Sequence, residues 1–292
     1  MKIESMPLTA DEESLVLRKI NAYADSMAPP NPHTEEEQLV LKAADGDGNT
    51  AGGCIVNVHL WGRAVLAKLW VDGRYRRHGL GSMLLRAAEE AAREKDCYTL
   101  CLGTADFMAR PFYEKHGFRV FTVNRDIPPG HISWSLSKRL DRASPDYVPS
   151  DNTAEGSFRI EPGTEEDAET VSRGLREFCD ENIEDRHAYI PLSRKLVDRN
   201  GDLIAAVVAG VEEDDSTEID GIWVEEGYRR QGFGTRLLEE ITREAKEKGS
   251  YVLLTYCCDW VSGFFFRNEF IPRGELEDYP RGHTAYELEK RI

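Results

Sequence analysis

The sequence predicts a mixed α/β (α+β) fold in two tandem copies, each a twisted mixed sheet flanked by helices. Three observations predict it. First, one stretch occurs twice: Leu69-Trp-Val-Asp-Gly-Arg-Tyr-Arg-Arg-His-Gly-Leu-Gly81 returns 153 residues later as Ile222-Trp-Val-Glu-Glu-Gly-Tyr-Arg-Arg-Gln-Gly-Phe-Gly234. Second, two further pairs keep nearly the same offset, 152 residues: Phe112-Tyr-Glu-Lys-His-Gly-Phe118 with Phe264-Phe-Phe-Arg-Asn-Glu-Phe270, and Asp126-Ile-Pro-Pro-Gly-His131 with Asp278-Tyr-Pro-Arg-Gly-His283. A period this long repeats a domain, not a solenoid unit. Third, strand-like apolar runs alternate with helical periodicity within each copy. The expected division is residues 1–142, a linker at 143–157 rich in turn-forming residues, and residues 158–292.

In the first copy a short strand near Lys2–Ser5 opens the chain. Thr9 and Glu12 form a capping-box pattern ahead of a helix with Leu15, Val16 and Ile20 on one side, and Ala28-Pro-Pro-Asn-Pro32 ends it. Gln38–Ala43 and Ala51–Leu60 read as strands joined by the Asp45-Gly-Asp-Gly48 turn. Ala64–Val71 is the strand entering the Arg/Gly stretch, and Leu80, Met83, Leu84, Ala87, Ala88 and Ala91 then recur at helical spacing. Cys97–Gly103 is a strand, Arg110–His116 a helix, and strands near Arg119–Val123 and His131–Leu136 close the copy. The second copy repeats the order: a strand at Arg159–Glu161, a helix begun by Thr164 and Asp167, strands at Leu203–Val211 and Glu218–Val224, a helix lined by Phe233, Leu237, Leu238, Ile241 and Ala245, and a strand at Tyr251–Tyr256.

Composition narrows the class. Hydrophobic residues make up 40% and charged residues 31% of the 292, enough for packed cores under a polar surface. No apolar run is long enough for a transmembrane helix, and the N-terminus has no apolar signal core, so no membrane partner and a cytoplasmic location are expected. The net charge of −16 is uneven: through Asp146 there are 19 Lys+Arg and 20 Asp+Glu, leaving 18 and 33 for the rest. That balance argues against a nucleic-acid partner and favours a cationic acceptor near the second copy, beside the plainer reading of a solvated acidic surface. The six cysteines contain no C-x-x-C pair and read as reduced, buried thiols, with Cys97 and Cys101 on one strand face and no metal site.

In the repeated stretch a strand feeds, through two arginines and two glycines, into a helix. Unpaired N–H groups and the positive dipole end at a helix start suit a phosphate, glycine admits close approach, and arginine adds charge-assisted bonds. Leu84 stands where a dinucleotide fingerprint needs its third glycine, and no Gly-Lys-Ser/Thr follows, which excludes a P-loop. What remains, Arg-x-x-Gly-x-Gly with Leu-Trp-Val before it and Leu-Leu after it, resembles motif A of GNAT-type N-acetyltransferases. Ala109-Arg-Pro-Phe-Tyr-Glu-Lys-His-Gly-Phe118 resembles motif B, and Gly274–His283 looks like a subgroup of bacterial GNAT sequences. The resemblance covers nearly the whole chain as two GNAT-like domains.

The resemblance implies that acetyl-CoA (coenzyme A) is the cofactor and that acetyl passes to a primary amine, a small-molecule or peptide acceptor. Its pyrophosphate would be held by Arg76, Arg77, His78, Gly79, Leu80, Gly81 and Ser82, and in copy two by Arg229, Arg230, Gln231, Gly232, Phe233, Gly234 and Thr235. Val71 and Val224 would sit on the splayed strand beside the pantetheine arm. Tyr113 matches the family's general acid, a group whose pKa of about 10 is comparable with that of a thiol. Copy two carries Phe265 there, and Glu269 in place of Gly117, which points to the first copy as the catalyst; Tyr256 is a weaker substitute acid. The family often takes its base from a carboxylate on the strand before motif A. Copy one has none there, whereas copy two has Glu218 and Asp220 on one strand face. His116 and His131 read as structural residues that could alternatively relay protons. Alternatives are catalysis in the second copy and a non-catalytic coenzyme A-binding protein. The acceptor-shaping regions are expected around Ala28–Thr34 and Asp180–Pro191, and both a monomer and a homodimer fit.

Overall fold

The computed structural model describes residues 3–142, 158–183 and 187–292. The expected linker at 143–157 lies outside the described residues, as do the first two residues and part of the second acceptor-shaping region. In chain order the elements are β1 (Glu4–Pro7), α1 (Ala10–Met27), β2 (Glu37–Ala44), β3 (Thr50–His59), β4 (Arg63–Val71), α2 (Leu80–Glu94), β5 (Thr99–Ala105), α3 (Arg110–Lys115), β6 (Arg119–Arg125), β7 (Ile132–Arg139), β8 (Arg159–Pro162), α4 (Glu165–Asp180), β9 (Ile190–Pro191), β10 (Arg194–Val197), β11 (Leu203–Val211), β12 (Ser216–Val224), α5 (Phe233–Glu247), β13 (Val252–Cys258), α6 (Asp259–Arg267), β14 (Ile271–Glu277) and β15 (Thr284–Arg291). The repeat is therefore one of elements as well as of sequence. One expectation shifts: Cys97 precedes β5, its N–H bound to the Ala92 carbonyl at 3.0 Å in the turn after α2, so it does not share a strand face with Cys101. All six cysteines are free.

The compact units are not the two sequence halves. One is built from Pro30–Arg125 and His131–Glu184, the other from Met1–Pro29, Asp126–Gly130 and Asp185–Ile292, within the described residues. They are called here the Tyr113 unit and the Phe265 unit. Each takes its first strand and helix from the opposite repeat. In the Tyr113 unit the sheet order is β6-β7-β5-β4-β3-β2-β8, with copy-two β8 antiparallel to β2. In the Phe265 unit the order is β1-β10-β11-β12-β13-β15-β14, with copy-one β1 antiparallel to β10 and β9 beside β11. The folded units therefore exchange the opening segments of the two repeats.

Packing explains the exchange. Both helices begin with a full capping box, Thr9 with Glu12 and Thr164 with Asp167. Each then buries a valine against the opposite repeat's sheet. Val16 is 1% exposed and clusters with Ala206 and Val208. Val171 is fully buried, so close over β3 that a Cβ on Gly53 would lie 2.6 Å from it. The other sheet face carries the motif A helix: Leu80, Leu84, Leu85 and Ala88 of α2 in the Tyr113 unit, and Leu237, Leu238 and Ile241 of α5 in the Phe265 unit. Each fully buried leucine or isoleucine contributes about 1.5–3 kcal/mol by leaving water.

Two features of each sheet shape the site. β4 and β5 are parallel neighbours, paired only over Arg63–Val65 with Thr99–Cys101. β12 and β13 pair only over Ser216–Ile219 with Val252–Thr255. Beyond those residues no pairing joins the two strands, and the sheet opens toward the motif A loop. At the opening each sheet carries a bulge: the β3–β4 register skips Ala67, and the β11–β12 register skips Asp220.

Candidate active site

Both motif A loops bend the same way. A single 3-10 turn, Gly73–Tyr75 or Glu226–Tyr228, leads out of the strand. Arg77 and Arg230 then adopt left-handed backbone (φ 66° and 60°). Gly79 and Gly232 follow as the N-caps of α2 and α5, at φ 82° and 85°, with no side chain capping either helix. Only glycine takes that conformation freely. A Cβ on Gly232 would meet no atom within 4 Å. Helix N–H groups left uncapped, fronted by open space and flanked by arginine, fit a pyrophosphate. The chemistry a bound acetyl-coenzyme A supplies is its acetyl thioester.

The loop arginines divide their work. Arg76 donates its Nε to the Val71 carbonyl at 3.0 Å, and Arg229 does the same to Val224, also at 3.0 Å. The first arginine therefore braces the loop against the end of the splayed strand. Its guanidinium also faces an aromatic ring of the exchanged helix: Phe178 at 5.7 Å from Arg76, and Tyr23 at 5.6 Å from Arg229. Arg77 and His78 remain exposed in the first loop, and Arg230 in the second. Gln231 turns back to the Gly227 carbonyl at 3.0 Å.

Ser82, in the first turn of α2, is held by a histidine. The His116 Nδ1 lies 2.7 Å from the Phe112 carbonyl, so that nitrogen carries the proton; Nε2 then accepts from the Ser82 hydroxyl at 3.0 Å. Burial keeps this imidazole below its ordinary pKa, and hence neutral. His131 has its Nδ1 2.9 Å from Asp106, as His283 has with Asp259 at 3.0 Å. The His131–Asp106 contact thus recurs in the second repeat as His283–Asp259.

Tyr113 sits on α3 against the core that contains Cys54 and Phe118. Burial pushes its phenol up to about 12, with a smaller contribution from Cys54. Among the described residues no hydrogen bond engages its hydroxyl. It is a neutral phenol with a proton to give. Phe265 fills the matching place in α6, 3% exposed, with no proton.

The carboxylates are distributed unexpectedly. Asp220 is the bulge residue of β12 and is exposed, so the bulge, not strict alternation, sets its place beside Glu218. Glu218 is pushed up to about 7, first by burial and then by Asp220, Glu287 and Glu212, against the pull of Arg273. Desolvation raises Asp220, and the charge of Glu13 on the exchanged α1 adds to it. The Tyr113 unit has Val65 and Ala67 at the corresponding β4 positions. Its carboxylates come instead from copy two. A cleft of about 420 Å³ lies where α4 crosses β2–β4, and Ala67, Lys68, Glu165 and Glu169 are among its walls. The sequence does not mark these α4 residues, because nothing in a linear pattern says which sheet a helix covers. Their spacing on one helix face was the available signal.

The description "Acetyltransferase (GNAT) family" is matched by the chain twice, over residues 10–118 and 156–260. The chain belongs to the GNAT family. It is an acyltransferase of the GNAT type that uses acetyl-coenzyme A, and the two matched segments are its two GNAT repeats. Among curated relatives, the chain is 40% identical over 131 residues to a blasticidin-S acetyltransferase from Streptomyces morookaense, a match spanning 44% of this chain and 92% of that protein. It is 43% identical over 60 residues to a glucosamine 6-phosphate N-acetyltransferase from Trypanosoma brucei brucei, spanning 20% of this chain and 40% of that one. Among solved structures, an acetyltransferase from Bacillus cereus is 27% identical, with a TM-score of 0.43 over 46% of this chain and 97% of its own.

Proposed function

We propose that the Tyr113 unit of this GNAT acetyltransferase acetylates a primary amine on a small molecule, with Tyr113 as the general acid. The observation that carries this reading is the pair Tyr113 and Phe265. One equivalent position presents a neutral phenol with a transferable proton, and the other presents none. The clefts support the same assignment. In the Tyr113 unit Asn57 and Lys68 line open space. Their counterparts are Gly210 and Gly221. A Cβ on Gly210 would lie 2.3 Å from the Tyr189 ring, and one on Gly221 would lie 2.5 Å from Ile20, so in the Phe265 unit that space is filled. Relatives named for acetylating antibiotics and an amino sugar phosphate support a small-molecule acceptor. Loss of the phenol in Tyr113→Phe should lower kcat by about a hundredfold or more with little change in cofactor KM. Steady-state rates against an amine panel test this, and full turnover in the variant removes Tyr113 from the role.

A second reading, catalysis in the Phe265 unit, is favoured by Glu218. A carboxyl near 7 is poised as a base at neutral pH. That reading predicts that Gly232→Glu abolishes turnover while Gly79→Glu spares it. Under the first reading the Phe265 unit binds the cofactor in a supporting role, the acceptor need not be cationic, and monomer and homodimer are both accommodated.

A further inference from the structure

The cleft of the Tyr113 unit carries both charge signs in an ordered way. Glu165, Glu169, Ser172 and Arg176 follow at steps of four, three and four along α4, one face of the helix, and all four line the cleft. From the opposite wall, Lys68 of β4 reaches Ser172, its Nζ 2.7 Å from the hydroxyl. Lys68 is half-buried, and among the described residues its ammonium meets no carboxylate. Arg176 likewise has no acidic partner among them. Gln38 and Asn57 are bonded to each other at 3.0 Å on the same wall and add amide donors. Along the helix Ser172, where Lys68 bonds, lies three residues from Glu169, a rise of about 4.5 Å, and Arg176 seven residues from it, about 10 Å. The volume is that of a small-molecule site.

We propose that this cleft selects an acceptor that is itself zwitterionic: an amine carrying an acidic group a short chain away, its acid read by Lys68 and Arg176 and its amine side by Glu165 and Glu169. The inference rests on the reading that the Tyr113 unit reacts, and it names that unit's substrate class. A half-buried cation bonded only to a hydroxyl is a site waiting for an anion, because desolvation raises the value of a charged partner there. The Phe265 unit cannot share this selectivity, since Gly221 stands where Lys68 does and Ile20 occupies the space beyond it. The specificity of repeat one is therefore written largely in a helix of repeat two.

The test uses the full chain saturated with coenzyme A, titrated calorimetrically with two matched pairs: lysine against cadaverine, and O-phosphoethanolamine against ethanolamine. The acid-bearing member of at least one pair should bind about tenfold or more tightly. Which pair responds distinguishes a carboxylate from a phosphate. Lys68→Met should bring that ratio close to one, and Arg176→Met, at an exposed side chain of the cleft rim, should lower it in the same direction if the first variant folds poorly. Glu169→Gln should weaken both members of a pair together. Equal affinity within both pairs, or a ratio that both basic-residue variants leave in place, overturns the inference. Failure of the underlying catalytic reading shows separately, as full turnover in Tyr113→Phe.

Discussion

Two side chains with unusual proton affinities define the chemistry available at single positions. Tyr113 is held neutral by burial, which suits a donor. Glu218 is held near 7 by burial and by neighbouring carboxylates. Its folded pKa lies above its ordinary value of 4.5, so between those limits the folded chain binds more protons than the unfolded one, and stability falls as pH rises from about 4.5 to about 7. Glu218→Gln should remove that loss. Urea titrations at pH 5 and pH 7.5, following the Phe265 unit, should find wild type relatively weaker at the higher pH and the variant flatter; an unchanged pH dependence would contradict the raised pKa. A second residue pair tests the Tyr113 unit. Glu89 and Lys138 are each 8% exposed and lie 2.6 Å apart. Glu89→Ala would leave the ammonium buried without its closest partner, a loss of about 3–5 kcal/mol, measurable by the same titrations.

At the scale of elements, the proposed cofactor grip is the loop between strand and helix. Gly79 and Gly232 combine left-handed backbone with an uncapped helix start. If each loop holds a pyrophosphate as proposed, a glutamate at either place would set a carboxylate against it, and it strains the backbone by about 1–2 kcal/mol. Both loops share the same geometry, so calorimetry should find two coenzyme A equivalents per chain, one in Gly79→Glu or Gly232→Glu, and none in the double variant. Elements of this kind were legible in the sequence because their signals are local. Capping boxes placed α1 and α4, helical periodicity placed α2 and α5, and a Gly-x-Gly after an apolar run placed both loops. What local signals could not supply was register and partner. The bulges that set aside Ala67 and Asp220 arise from pairing between strands. The cleft residues of α4 depend on which sheet that helix covers. Thr9 and Thr164, Val16 and Val171, and Tyr23 and Phe178 match so closely that either helix carries the features needed to cover either sheet.

At the scale of the molecule, the exchange of opening segments changes what a mutation in one repeat should do. Val16 belongs to repeat one by sequence, yet its methyls fill the face of β11 beside Ala206 and Val208. Val171 belongs to repeat two, yet it lies on Gly53 of β3. Truncating either to alanine opens a cavity worth about 1–2 kcal/mol, and the loss falls on the sheet that the side chain touches. Native-state amide hydrogen exchange resolves this, because opening free energies are read strand by strand. Val16→Ala should lower protection along β10–β12 and leave β3 and β4 near wild type. Val171→Ala should do the reverse. If Val16→Ala instead loosened β3 and β4, each helix would be covering its own repeat's sheet, and the two units would be the sequence halves after all. The same reasoning separates cleft from fold. Val171→Ala should disturb acceptor binding in the Tyr113 unit through the seating of α4, whereas Val16→Ala should leave that cleft intact, although it alters the repeat that supplies Tyr113.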